Sequence, residues 1–336
     1  MNKKILITGA SGFIGSTAVD KALQLGYETW AGIRASSSRV FLQDERIHFI
    51  DLPYANKEKL KAQLHDFVAE NGRFDYIVHI AGLTKAVRKS DFDKVNYEHL
   101  KNFVDALIEM DATPDLFVFM STLGAVGVGD ETGYTPLACD CAPNPNTAYG
   151  RSKLKAENYL KSMEGFPYVI LRPTGVYGPR DKDYLILVRA VKNGLNVGAG
   201  FRKQILTFIY IDDLVKIIFD CIAKNTFRKE YYVADGDVYT DSEFNTIVQQ
   251  ALQKKRVIRM KVPLWLVKPA AYASEKIFGL LGKATTFNTD KYLIMKQRNW
   301  SCDITPLRED LNFAPDYPLK KGIEKTIEWY KKEGWL

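Results

Sequence analysis

Along the first two-thirds of the chain, short apolar runs alternate with longer stretches whose apolar positions recur at helical spacing. The runs Lys4–Thr8, Glu28–Ile33, His48–Ile50, Tyr76–Ile80, Leu116–Met120, Tyr168–Leu171 and Thr207–Tyr210 predict strands. Gly15–Leu25, Lys57–Glu70, Lys94–Met110 and Ala148–Ser162 predict the helices between them. Strands apolar on both faces belong to a sheet covered on both sides, and alternation with helices makes that sheet parallel. The expected fold class is α/β, a doubly wound parallel sheet.

The pattern loosens after Pro173, and beyond Asp235 lie Pro263, Pro269, Pro306, Pro315, Pro318 and four of the five tryptophans. Residues 1–175 therefore read as a nucleotide-binding domain, with 205–234 returning to it through Thr207–Cys221. Residues 176–204 and 235–336 read as a smaller substrate-binding region.

Composition changes this picture little. With 336 residues, 46% hydrophobic and 26% charged, the chain has material for a large core and no disordered tract. Cys139, Cys141, Cys221 and Cys302 form neither a disulfide framework nor a zinc-ligand spacing, so no metal is expected. The apolar run after Lys4 is too short for a signal peptide, and the cytoplasm is the expected compartment. The net charge of +7 has no nucleic-acid motif beside it, and nucleic acid is not an expected partner.

Candidate chemistry begins directly after the first strand. Thr8-Gly9-Ala10-Ser11-Gly12-Phe13-Ile14-Gly15 leads into a helix. Gly9 permits a tight turn, Gly12 lets backbone approach a pyrophosphate, and Gly15 lets the helix pack close to the sheet. The helix N-terminus adds N–H donors and positive dipole. These residues, with Ser11, Phe13 and Ile14, are the expected dinucleotide cradle of a Rossmann fold. The second strand ends in Arg34, and no carboxylate lies between Glu28 and Asp44. A guanidinium there suits a ribose 2′-phosphate, so NADP is expected ahead of NAD.

A tyrosine with a lysine four residues on shares one helix face. The spacing occurs at Tyr97/Lys101, Tyr149/Lys153, Tyr272/Lys276, Tyr292/Lys296 and Tyr317/Lys321. Context selects Tyr149/Lys153, because the Leu116–Met120 strand delivers Ser121 and Thr122 at its carboxyl end, where parallel sheets bind ligands. The lysine is expected to lower the phenol pKa so that it moves protons during hydride transfer.

Together with Leu171-Arg172-Pro173, Val176-Tyr177-Gly178-Pro179-Arg180 and Phe208-Ile209-Tyr210-Ile211-Asp212-Asp213, these motifs resemble the extended short-chain dehydrogenases/reductases, which include sugar-nucleotide epimerases and dehydratases. The resemblance implies Thr122, with Ser121 as alternative, as the catalytic hydroxyl, Tyr149 as acid/base and Lys153 as its partner. It implies adenine contacts at Asp51 and Leu52, nicotinamide-side contacts at Ala81, Gly82 and Pro173, and a supporting Asn96. Substrate contacts are expected at Thr84, Thr174, Tyr177 and Arg180, and homodimers are common in that superfamily.

Two departures bear on substrate. Thr174 stands where the epimerases often carry Asn, and Leu206 where they carry a diphosphate-gripping arginine. With Arg34, this is similar to the reductase branch of dihydroflavonol, 3β-hydroxysteroid and ceramide enzymes. The leading expectation is an NADP-dependent ketone/alcohol oxidoreductase acting on a hydrophobic or lipid-like molecule. A nucleotide-sugar epimerase or dehydratase comes second, with Arg180 and Arg202 as candidate diphosphate grips, and a non-catalytic NADP-sensing protein third. The basic, aromatic stretch 254–282 either lies on an anionic membrane surface, covers an apolar pocket, or packs as an ordinary strand and helix. Lys268, Glu275 and Lys276 stop it from spanning a bilayer.

Overall fold

The computed structural model describes residues 2–336. Seven strands form one sheet in the order Lys229–Val233, β6, β5, β4, β1, β2, β3, where β1 is Lys4–Thr8, β2 Glu28–Gly32, β3 His48–Ile50, β4 Tyr76–His79, β5 Leu116–Met120 and β6 Tyr168–Pro173. Every pairing is parallel. All of β5, Leu-Phe-Val-Phe-Met, is buried, as a strand covered on both faces must be. Helices α1 (Phe13–Gln24) and α2 (Lys57–Asn71) follow β1 and β3. Next come α3 (Ser90–Asp93) and α4 (His99–Glu109), joined by a five-residue π turn at Lys94–Glu98, and then α5 (Ala148–Ser162). The strand order reverses between β1 and β4, and the crevice at that switch point is where doubly wound sheets bind nucleotides.

One strand prediction needs correcting. Phe208–Tyr210 does not join the main sheet; it pairs in parallel with Gly175–Tyr177 as a separate two-stranded sheet. The return to the main sheet is made by Lys229–Val233 against β6. A buried apolar run fixes the strand state but not its partner. Two further ribbons complete the later part of the chain, Ile205–Leu206 with Tyr239–Thr240 and Leu195–Ala199 with Ile258–Val262.

The switch point is held by buried polar groups. The Thr8 hydroxyl accepts from the Ile80 and Ala81 amides at 3.2 and 3.1 Å and lies 3.1 Å from His79 Nδ1. Burial pushes the His79 imidazole down to about 3, so the ring is neutral near pH 7.

Candidate active site

Gly9 occupies the left-handed region at φ 67°, and a Cβ there would stand 2.8 Å from the Ala81 amide nitrogen. A Cβ on Gly15 would overlap the Gly9 carbonyl oxygen, so this glycine sets how closely α1 meets the turn. Gly12 is exposed at the helix N-cap, where no side chain caps the amides and no acid enters the first turn. Open donors and an exposed glycine fit an anionic diphosphate. Ser11, Phe13 and Ile14 are partly exposed around this turn, and Phe13 and Ile14 also face the cavity described below.

At the end of β2, Arg34 is exposed and enters no ion pair among the described residues. Ser37 folds back on it, accepting from the Arg34 amide at 3.2 Å. Asp51 accepts from the Ala35 amide at 3.0 Å, which closes this loop. Leu52 is buried, so only its backbone is available to a ligand.

The carboxyl ends of β4, β5 and β6 open into a cavity of about 760 Å³. It gathers Gly82, Thr84, Ser121, Thr122, Tyr149, Lys153, Pro173 and Thr174, eight of the residues singled out in the sequence. Ala81 lies just behind, its amide on Thr8. Ser121 and Thr122 face different partners. The Ser121 hydroxyl donates to the buried Glu157 carboxylate, which also receives Arg172 Nη2 at 2.6 Å. The Thr122 hydroxyl accepts from Gly124 N at 3.2 Å and keeps its proton free for a ligand. Thr122 is thus the better placed donor of the two.

Helix α5 is held in place by groups distant in sequence. Thr147 caps it, accepting from Gly150 N at 3.0 Å. Asp290 accepts from the Ala148 and Tyr149 amides at 2.9 and 3.4 Å, so a carboxylate from the far end of the chain sits on the positive helix terminus. A Cβ on Gly150 would overlap the Gly124 carbonyl, so this glycine lets α5 lie against the turn that follows Thr122. Asn96, on the π turn, accepts from Leu83 N at 2.7 Å and donates to Ser152 Oγ at 2.9 Å. It braces the wall beside Lys153 rather than bonding the amine itself. Glu157 and Asp290 escaped sequence reasoning, since only tertiary structure brings them to the site.

The expected acidification of the phenol is corrected by the structure. Burial pushes Tyr149 up to about 12 and the Lys153 ammonium down to about 8. Lys153 Nζ donates to the Met120 carbonyl at 2.8 Å, so its charge is turned onto backbone. A phenol in this state is a proton donor at neutral pH.

Two proposed substrate contacts do not reach the cavity. Tyr177 is 0% exposed, edge-on to Phe208 and Tyr210, with its hydroxyl donating to the Leu319 carbonyl at 3.4 Å. Its large aromatic ring is core. Arg180 pairs with Asp20 of α1 at 2.7 Å and lies over the Phe41 ring, so its charge is spent outside the cavity wall. Arg202 is exposed and also absent from that wall.

Residues 5–234 match the model of the NAD dependent epimerase/dehydratase family. The chain belongs to that family. Members are NAD(P)-dependent enzymes. Among curated relatives, the chain is 24% identical to a putative UDP-glucose 4-epimerase of Methanocaldococcus jannaschii, covering 97% of this chain and 98% of that one. It is 23% identical to a ceramide reductase of Caulobacter vibrioides, covering 99% and 96%. Among solved structures, a UDP-glucose 4-epimerase of Thermotoga maritima with UDP-glucose superposes with a TM-score of 0.77 at 22% identity, covering 99% of both chains. At that identity the likeness is one of fold. Epimerase/dehydratase-family members named for sugar-nucleotide and for lipid chemistry therefore resemble this chain about equally.

Proposed function

We propose that this enzyme is an NADP-dependent oxidoreductase that interconverts a ketone and a secondary alcohol on a hydrophobic or lipid-like substrate. One observation carries the reading: the wall of the cavity beyond Tyr149. Leu187, Val191, Leu195, Val197, Phe287 and Met295 make it apolar, and no arginine lines it among the described residues. Its cations are Lys153 and Lys291, and Asp181 and Asp183 share the wall. Two carboxylates and no guanidinium suit a diphosphate poorly and an apolar body well.

A bound dihydronicotinamide supplies the hydride for the carbonyl carbon. Thr122 donates a hydrogen bond to the carbonyl oxygen. Tyr149, a phenol held protonated by burial, gives that oxygen its proton and leaves as phenolate. The Lys153 ammonium, beside the same cavity, stabilises the negative charge that results. Gly82, Thr84, Pro173 and Thr174 form the wall against which nicotinamide and substrate are oriented. Arg34 is the residue we assign to the 2′-phosphate, with Gly9, Ser11, Gly12, Phe13, Ile14 and Gly15 around the pyrophosphate and Asp51 with Leu52 toward the adenine.

The test follows NADPH oxidation with long-chain and steroidal ketones, and product formation from UDP- and dTDP-sugars. Ketone-dependent oxidation that falls about 10²–10⁴-fold in Tyr149→Phe is expected. The second reading, a nucleotide-sugar epimerase or dehydratase, is favoured by the names of the Methanocaldococcus and Thermotoga relatives. NAD that co-purifies tightly, together with turnover of a UDP-sugar and none of any ketone, would replace the first reading by the second.

A further inference from the structure

The helix Leu264–Leu280 is attached to the body by a narrow stripe. Val267 and Ala271 are its buried residues. At about 100° per residue, the positions facing away from that stripe include Trp265, Leu266, Pro269, Ala273, Ile277 and Leu280, in a sector of about half the circumference, and Leu281 follows at the helix end. Trp265 is 72% exposed, Leu280 90% and Leu281 64%. Only Lys276 interrupts this sector, and a lysine can extend its ammonium past apolar neighbours.

At both ends of the helix the chain leads to elements that line or flank the cavity. At its start, Pro263 follows the strand Ile258–Val262, which pairs with Leu195–Ala199 in the register Ile258 to Leu195 and Met260 to Val197. Those four side chains share one face of the ribbon. Leu195 and Val197 line the cavity, and Ile258 beside them is 73% exposed. Arg259 and Lys261 point to the opposite face, where they bond Thr246 and Asp241. At the other end, the chain leaves the helix and reaches Phe287 on the cavity wall.

Charge singles out the same segment. Residues 254–283 hold eight cations (Lys254, Lys255, Arg256, Arg259, Lys261, Lys268, Lys276, Lys283) and one carboxylate, Glu275. The remaining chain then has 47 − 8 = 39 cations and 40 − 1 = 39 carboxylates, so the whole surplus of +7 belongs to these thirty residues. Glu275 is itself committed to Thr289, accepting from its amide at 2.9 Å.

We propose that the Leu264–Leu280 helix, the Leu281 that follows it and the Ile258/Met260 ribbon form a monotopic docking surface for an anionic lipid bilayer, with the cavity mouth opening toward the acyl chains. An exposed half-helix of apolar residues, with Lys268 at its edge and Lys254, Lys255 and Arg256 just before the ribbon, matches the composition of such a surface, and no helix of the described residues is long and apolar enough to span one. The proposal rests on the reading of an apolar substrate, for which it names the source: the membrane leaflet.

Sedimentation of the full chain with phosphatidylcholine vesicles, with and without phosphatidylglycerol, tests the surface. Binding to the anionic vesicles is expected, about tenfold weaker on phosphatidylcholine alone or in the charge variant K254E/K255E/K268E. The variant W265S/L280S/L281S should stay in the supernatant and keep its turnover of a short, water-soluble ketone, since none of its positions touches the cavity. Protein that ignores anionic vesicles, or a stable dimer that these three substitutions dissociate without any vesicle binding to lose, overturns the proposal. Binding is read without turnover, so absent ketone reduction would overturn the proposed reaction alone, and absent binding the docking surface alone.

Discussion

Tyr149 and Lys153 share one face of α5, and burial moves their proton affinities apart, the phenol up to about 12 and the ammonium down to about 8. Below pH 8 both carry their protons, which is the state the proposed ketone reduction requires. As pH rises through about 8, Lys153 loses its charge while Tyr149 stays protonated. The expected profile of kcat for reduction is therefore flat at neutral pH and falls above about 8, with no limb that belongs to the phenol in that range. A pH–rate series on wild type and Lys153→Met checks this: the variant should be slow and show no fall near 8. At the adenine end, Arg34 has no carboxylate partner to give up, so Arg34→Asp should change cofactor choice at little cost to folding. Preference is expected to pass from NADPH to NADH, read as the ratio of kcat/KM for the two, by about tenfold or more for loss of a charge-assisted phosphate contact.

Elements show why part of the site was legible and part was not. Strand β5 and helix α5 could be read because apolar continuity and helical spacing are local properties, and the order of the two put Ser121 and Thr122 ahead of Tyr149/Lys153, while the preference for Thr122 came from the family resemblance. The partner of Phe208–Tyr210 was misread because Thr-Phe-Ile-Tyr has the same texture as a central strand. Lys229–Val233 was missed because Lys-Glu opens it and only its second half is apolar. The π turn under Asn96 and the Asp290 carboxylate on α5 leave no periodic trace at all. Gly150 is the test of how these elements meet. Glycine inside a helix ordinarily costs about 0.5–1 kcal/mol against alanine, so Gly150→Ala would stabilise an isolated α5. Here the added methyl would fall on the Gly124 carbonyl, and overpacking of this kind costs about 1–3 kcal/mol. Lower melting temperature together with reduced kcat is the expected outcome of Gly150→Ala, and a gain in stability with unchanged kcat would show that α5 does not rest on this turn.

At the scale of the whole molecule, the sheet and the later segments of the chain meet around a large cavity, with the proposed proton chemistry at one end and an apolar wall at the other. The carboxyl ends of β4, β5 and β6 supply Gly82, Thr122 and Pro173; Leu195, Val197, Phe287 and Met295 come from beyond them. Substrate binding and hydride transfer should therefore be separable. Each methylene moved from water to that wall is worth up to about 0.8 kcal/mol, or nearly fourfold in affinity. For a homologous series of ketones, kcat/KM is expected to climb steeply with chain length and then level off once a volume of about 760 Å³ is filled. Since the proposed reaction keeps its carbonyl at Thr122 and Tyr149 throughout, the gain should appear in KM more than in kcat. Val197→Asp places a carboxylate on the wall without touching the proton donors. It should flatten the series for long chains and leave the shortest ketone nearly unaffected, a pattern that a sugar-nucleotide site would have no reason to produce.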